Sequence, residues 1–222
     1  MPIETALLIL ESVLLSVTIV LLLYSIREGR DRKNLLMEIG RATKILTRQE
    51  YFLSVIDSMM DANTEVVGCI TGRYPADDDR KMTRDIADNI EKLVKRGVRV
   101  KYLLPKFPDR LHVGYIYTKA GAEIWYSNCL IVHNIRFIIV DERLIVIGIP
   151  ESIGEKEATK KGYRIPSEGL AMVLKGYLDQ CDKQQTSYED YAREIMRQTG
   201  TTPKLLAREL HIDEEELEKL AK

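Results

Sequence analysis

The chain has 222 residues, with 33 Lys and Arg against 34 Asp and Glu. That length suits one modest domain with appendages, and the balanced charge excludes a whole-protein electrostatic footprint for nucleic acid. Cys69, Cys129 and Cys181 lack zinc or redox spacing, so they read as reduced packing residues in a reducing compartment, with no metal or cofactor implied.

Ala6–Ile26 is an almost unbroken apolar run interrupted by Glu11. As a helix it would reach roughly 30 Å, the hydrocarbon thickness of a bilayer. The start carries Glu4 where a signal peptide would be basic, so the run is expected to be a transmembrane helix. Arg27, Arg30, Arg32 and Lys33 follow it and no Lys or Arg precedes it. The positive-inside bias then places a single-pass protein in the cell membrane with its globular part in the cytoplasm.

Asn34–Met60 places Leu35, Ile39, Ala42, Leu46, Leu53, Ile56 and Met60 on one stripe, which predicts an amphipathic helix. Its apolar face either packs on the following domain or pairs with a second copy. Strands are expected at Glu65–Thr71, Val98–Leu104 and Ala122–Tyr126, alternating with helices over roughly 78–95 and 109–120. Ile135–Val140 and Leu144–Ile149 are apolar strands joined at Asp141-Glu142-Arg143. Both read as buried on both faces, and Arg136 is the lone cation between them. Glu151–Arg164 reads as a polar loop, and Ser167 as the cap of a helix through Gln180. This alternation predicts an α/β fold with a mostly parallel sheet flanked by helices.

From Ser187 the chain reads as a small helical appendage resembling a helix-turn-helix unit. The would-be recognition helix, DEEELEKLAK, is acidic, so phosphate repulsion argues against DNA and for a protein partner. The expected divisions are a transmembrane anchor over 1–27, a linker helix over 28–60, the α/β domain over 61–183 and the appendage over 184–222.

Arg136, Asp141 and Gly148 stand five and then seven residues apart. This spacing resembles the phospholipase D superfamily signature His-x-Lys-x-x-x-x-Asp-x-x-x-x-x-x-Gly-Ser-x-Asn, with Arg136 at the Lys place. Asn134 holds the place of the nucleophilic His, and His133 lies one position off. Ile149 and Glu151 stand at the Ser and Asn places. Ser167-Glu168-Gly169-Leu170 is similar to the segment after the core motif, which implies Glu168 near the pocket. The resemblance covers roughly Tyr51–Gln180. Similar degenerate domains sense effectors in archaeal sugar-responsive transcription regulators.

The resemblance implies a catalytically degenerate domain that binds an anion or ligand through Asn134, Arg136, Asp141, Glu151 and Glu168, or docks a protein. The alternative is a membrane-anchored phosphodiesterase, nuclease or phospholipase, in which His133 is the catalytic residue. One motif supplies half of such a site, so a homodimer is expected.

Overall fold

The structure is a computed structural model that describes residues 13–29, 44–75, 77–150, 159–181 and 185–221. It divides into two units, residues 1–42 and 43–222. In the first, residues 13–29 form helix α1, whose large apolar side chains are all about half exposed or more. Among the described residues no helix is long and apolar enough to cross a membrane. Residues 6–12 of the expected span, and 30–43 of the expected linker helix, lie outside the described residues.

The second unit is built on one eight-stranded sheet in the order β1-β7-β6-β5-β2-β3-β4-β8. The strands are β1 Lys44–Thr47, β2 Glu65–Cys69, β3 Arg99–Pro105, β4 Glu123–Ser127, β5 Arg136–Val140, β6 Leu144–Pro150, β7 Thr159–Pro166 and β8 Thr186–Ser187. Helices α2 Arg48–Met60, α3 Asp77–Lys95, α4 Leu111–Lys119 and α7 Tyr188–Thr199 pack on one side, and α5 Leu130–Asn134 and α6 Glu168–Gln180 on the other. Two short helices, α8 Pro203–Leu210 and α9 Glu214–Ala221, complete the first layer beside α7.

The α/β architecture stands, but the sheet is mixed. Only β2–β3 and β3–β4 are parallel. The pairs β2–β5, β5–β6, β6–β7, β1–β7 and β4–β8 are antiparallel. A parallel neighbour needs a long crossover, supplied here by α3 and α4, whereas a tight turn can only return the strand antiparallel. Asp141 and Glu142 make such a turn, both at positive φ (49° and 54°), with Arg143 N–H donating to the Val140 carbonyl.

Four expectations about the elements are corrected. Within the expected amphipathic helix over 34–60, the described residues 44–47 form a strand and the helix starts at Arg48, where Thr47 and Glu50 form a capping box. Ahead of it Ile45 is exposed and Leu46 buried, an alternation that suits strand β1. The polar loop over 151–164 contains most of β7, paired on both edges.

The appendage over 184–222 is part of the domain. Tyr188, Tyr191, Ala192, Ile195 and Met196 of α7 enter the first core, and the Tyr126 and Tyr191 rings lie 4.4 Å apart. Gly114 makes room for this, since a Cβ there would come within 1.9 Å of the Tyr126 hydroxyl. Finally, Cys129 and Cys181 are disulfide-bonded, while Cys69 is free and buried. The fold brings together the start of α5 and the end of α6, 52 residues apart in sequence, which spacing alone does not reveal.

Candidate functional site

The motif residues occupy the two ends of β5. Strand alternation puts Arg136, Ile138 and Val140 on the α2 side and Phe137 and Ile139 on the α6 side, matching the two cores they enter. Arg136 is 9% exposed. Its register partner is Gly148, which faces Gly162, which faces Leu46. Two adjacent strands therefore present glycine beside the guanidinium on one face of the sheet. The ring of Tyr51, from α2, lies over this gap, and a Cβ at Gly162 would stand 2.6 Å from its Cδ2. Burial pushes the Tyr51 phenol up to about 12, and the Arg136 charge opposes that rise. Arg136 thus acts on the α2 side of the sheet, toward Tyr51.

Asp141 stands about 16 Å further along the strand axis, at the turn. Its carboxylate accepts the backbone N–H groups of Asn63 (3.0 Å), Thr64 (2.9 Å) and Glu65 (3.1 Å) and the Thr64 hydroxyl (2.8 Å). Burial favours the protonated acid, but these donors outweigh it and hold the pKa at about 2. The carboxylate's chemistry is spent on fixing the entry to β2. Beside it Lys175 of α6 bonds Glu65 and Glu142, and Arg99 bonds Glu65, a charged cluster that no sequence spacing announced.

His133 and Asn134 do not lie on the strand. They end α5, and both are exposed. Strand alternation therefore does not govern their direction. The His133 ring meets Phe107 edge-on at 5.4 Å, and Arg110 lies over the same Phe107 at 5.4 Å. Arg110, buried after β3 and ion-paired with Asp109, is a second cation at this sheet end that sequence reasoning missed. Glu168 is exposed in the first turn of α6. The preceding strand ends where Pro166 faces Leu144, beside the Asp141 turn and away from Arg136. Glu151 lies outside the described residues.

The fold thus gathers His133, Asn134 and Arg136 at the sheet end reached by β2 and β3 at their carboxyl ends, and it puts Asp141 and Glu168 at the other. The remaining histidines belong to the helical layer. His112 Nδ1–H donates to the Leu210 carbonyl at 2.8 Å, and the Tyr74 ring lies tilted against both His112 (4.6 Å) and His211 (5.7 Å). Among the described residues no group of three or more His, Cys, Asp or Glu could hold a metal ion.

No family model matches the chain, and no curated protein sequence matches it. Solved structures do. Nuc from Salmonella typhimurium, a phospholipase D family member, is 15% identical, with a TM-score of 0.51 over 66% of this chain and 97% of that one. NucT from Helicobacter pylori is 14% identical, with a TM-score of 0.51 over 65% of this chain and 98% of that one. TrmBL2, an archaeal chromatin protein, is 18% identical, with a TM-score of 0.47 over 72% of this chain and 62% of that one. The first two are matched over nearly their whole length, so the chain has the fold of the phospholipase D family.

Proposed function

We propose that this is a membrane-anchored, cytoplasmic phospholipase D-like domain that has lost phosphodiester hydrolysis and serves as an anion- or ligand-binding or protein-docking module. One observation carries the reading: two residues before Arg136, where the resemblance calls for the nucleophilic His, the chain has Asn134 at the exposed end of α5. An amide cannot form a phosphoenzyme intermediate. Arg136 remains as a fixed planar cation suited to a carboxylate or phosphate. The apolar surface of α1 and the basic residues that follow it support the anchor and its orientation. The Cys129–Cys181 bond is of a kind that persists in oxidising compartments, so protease access on intact cells is the measurement that tests which side the domain occupies.

The full chain in detergent should show no turnover of bis-p-nitrophenyl phosphate, single-stranded DNA or phosphatidylcholine above a blank. Titration calorimetry with inorganic phosphate should show binding that Arg136→Gln removes. The second reading, a phosphodiesterase using His133 in a dimeric site, is favoured by the placement of His133 on a helix at the same sheet end as Arg136. Turnover abolished by His133→Ala would establish it and remove the first.

A further inference from the structure

The chain reaches Arg136 through a helix with little to hold it. β4 ends at Ser127, α5 runs over Leu130–Asn134, and Ile135 alone separates that helix from Arg136. Val132 is its one buried residue; Leu130 is 78% exposed, and His133 and Asn134 are exposed. No side chain caps its start, and five residues close less than two turns, so the helix has little stability of its own. Its other fastening is covalent. Cys129, at the N-cap, is bonded to Cys181 at the C-cap of α6. By contrast α6 is a fixed post: Ala171, Leu174 and Leu178 are buried, and Lys175 bonds Glu65 and Glu142. A domain with two apolar cores has no need of a disulfide to replace a missing core. The bond instead fastens the segment that leads to Arg136.

We propose that Cys129 and Cys181 form a reversible dithiol–disulfide pair that regulates anion binding at Arg136 by fastening and releasing α5. The regulation rests on reading Arg136 as the anion site. In a cytoplasmic protein, pairs of this kind are usually transient and redox-sensing, so the bonded state is one of two. Cys129 is partly exposed and Cys181 is 3% exposed, so a dithiol reductant enters at Cys129. Its thiolate bonds to Cys129 Sγ, the Sγ–Sγ bond breaks, and Cys181 leaves as a thiolate that takes a proton. The reductant's second thiolate then displaces Cys129 Sγ, which is protonated in turn. Two electrons have passed to the protein, and the reductant departs as its own disulfide. Cys69 lies in the same core, but it is wholly buried, and burial pushes its thiol up to about 12. It stays a thiol and does not exchange, so the pair has one partner assignment. In the oxidised state Asn134 and the start of β5 are held in place before an anion arrives. In the reduced state binding must also order α5, and that cost weakens it.

The test uses the full chain in detergent, equilibrated with mixtures of dithiothreitol and its oxidised form, with inorganic phosphate as the probe. Alkylation of quenched samples reads the redox state, and titration calorimetry reads phosphate binding. Two thiols are expected to appear together, with Cys69 unmodified until the protein is denatured and circular dichroism unchanged. Phosphate affinity is expected to fall about tenfold on reduction, within the usual range for coupled sites, and to return on reoxidation. By linkage, phosphate should then make the bond harder to reduce by the same factor, about 30 mV. Cys129→Ser with Cys181→Ser should bind as the reduced protein does; if that variant does not fold, reduced wild type carries the comparison. Equal phosphate binding in both states overturns the regulation and leaves the anion site standing. No binding in either state overturns the anion site and the regulation together. A bond that opens only when the protein unfolds makes the pair a staple and overturns the proposal.

Discussion

The two ends of β5 carry the two charged residues of one motif, and the fold treats them in opposite ways. At the turn, Asp141 is saturated by three backbone N–H groups and a hydroxyl, in a loop that would otherwise leave those donors to solvent. At the start, Arg136 stands where glycines at 148 and 162 open a gap in the face of the sheet and Tyr51 closes over that gap. The lesson is that a signature spacing joins residues of unlike work. One carboxylate builds the strand pair, and one guanidinium stands at the end where chemistry would occur.

The largest expected effect falls at the Arg136 end, through its support. The Cys129–Cys181 bond ties the residue that starts α5 to the end of α6. Closing a loop of that length is worth about 4 kcal/mol on the chain-entropy model. Reduction, or Cys129→Ser with Cys181→Ser, should lower the denaturation midpoint accordingly. Hydrogen exchange should then quicken in α5 and the start of β5 before it does at Asn63–Glu65. Uniform quickening would erase the contrast between the ends.

Asp141→Ala should cost about 2–3 kcal/mol, because it strands several donors at once. The same group makes stability depend on pH. Its folded pKa, about 2, lies below its ordinary 3.8, so the contribution is complete above pH 4 and lost as pH falls toward 2. That loss amounts to about 2 kcal/mol by linkage, and acid titration of the Asp141→Ala variant should lack it.

Gly162→Ala should cost about 1–3 kcal/mol by driving a methyl into the buried Tyr51 ring. Tyr51→Leu in the same chain should recover part of that cost; no recovery would mean that the glycine serves the strand and not the ring. The smallest effect belongs to His133→Ala. The residue is exposed, so stability should change by less than about 0.5 kcal/mol, well below the loss from Arg136→Ala measured in parallel by denaturant titration.

Much of this was legible in the amino-acid sequence because it is local. The apolar runs of β2, β3, β5 and β6 and the Ser167 cap follow from periodicity and backbone preference within a few residues. The motif spacing identified the fold because it records one hairpin. Thr47 and Glu50 carry a capping signal that the longer apolar stripe obscured.

Other features depend on partners distant in sequence, and only the tertiary structure decided them. Strand direction depends on which connection crosses the sheet, so the same runs could have paired parallel. A lysine-rich stretch became β7 because two neighbouring edges paired with it. The C-terminal helices became core because Tyr126 and Gly114 shape a seat for Tyr188 and Tyr191. The direction of His133 changed because its last four neighbours formed a helical turn and not the extension of a strand. Residue types specify what a side chain can do; which groups meet is set by packing across separations that no local pattern records.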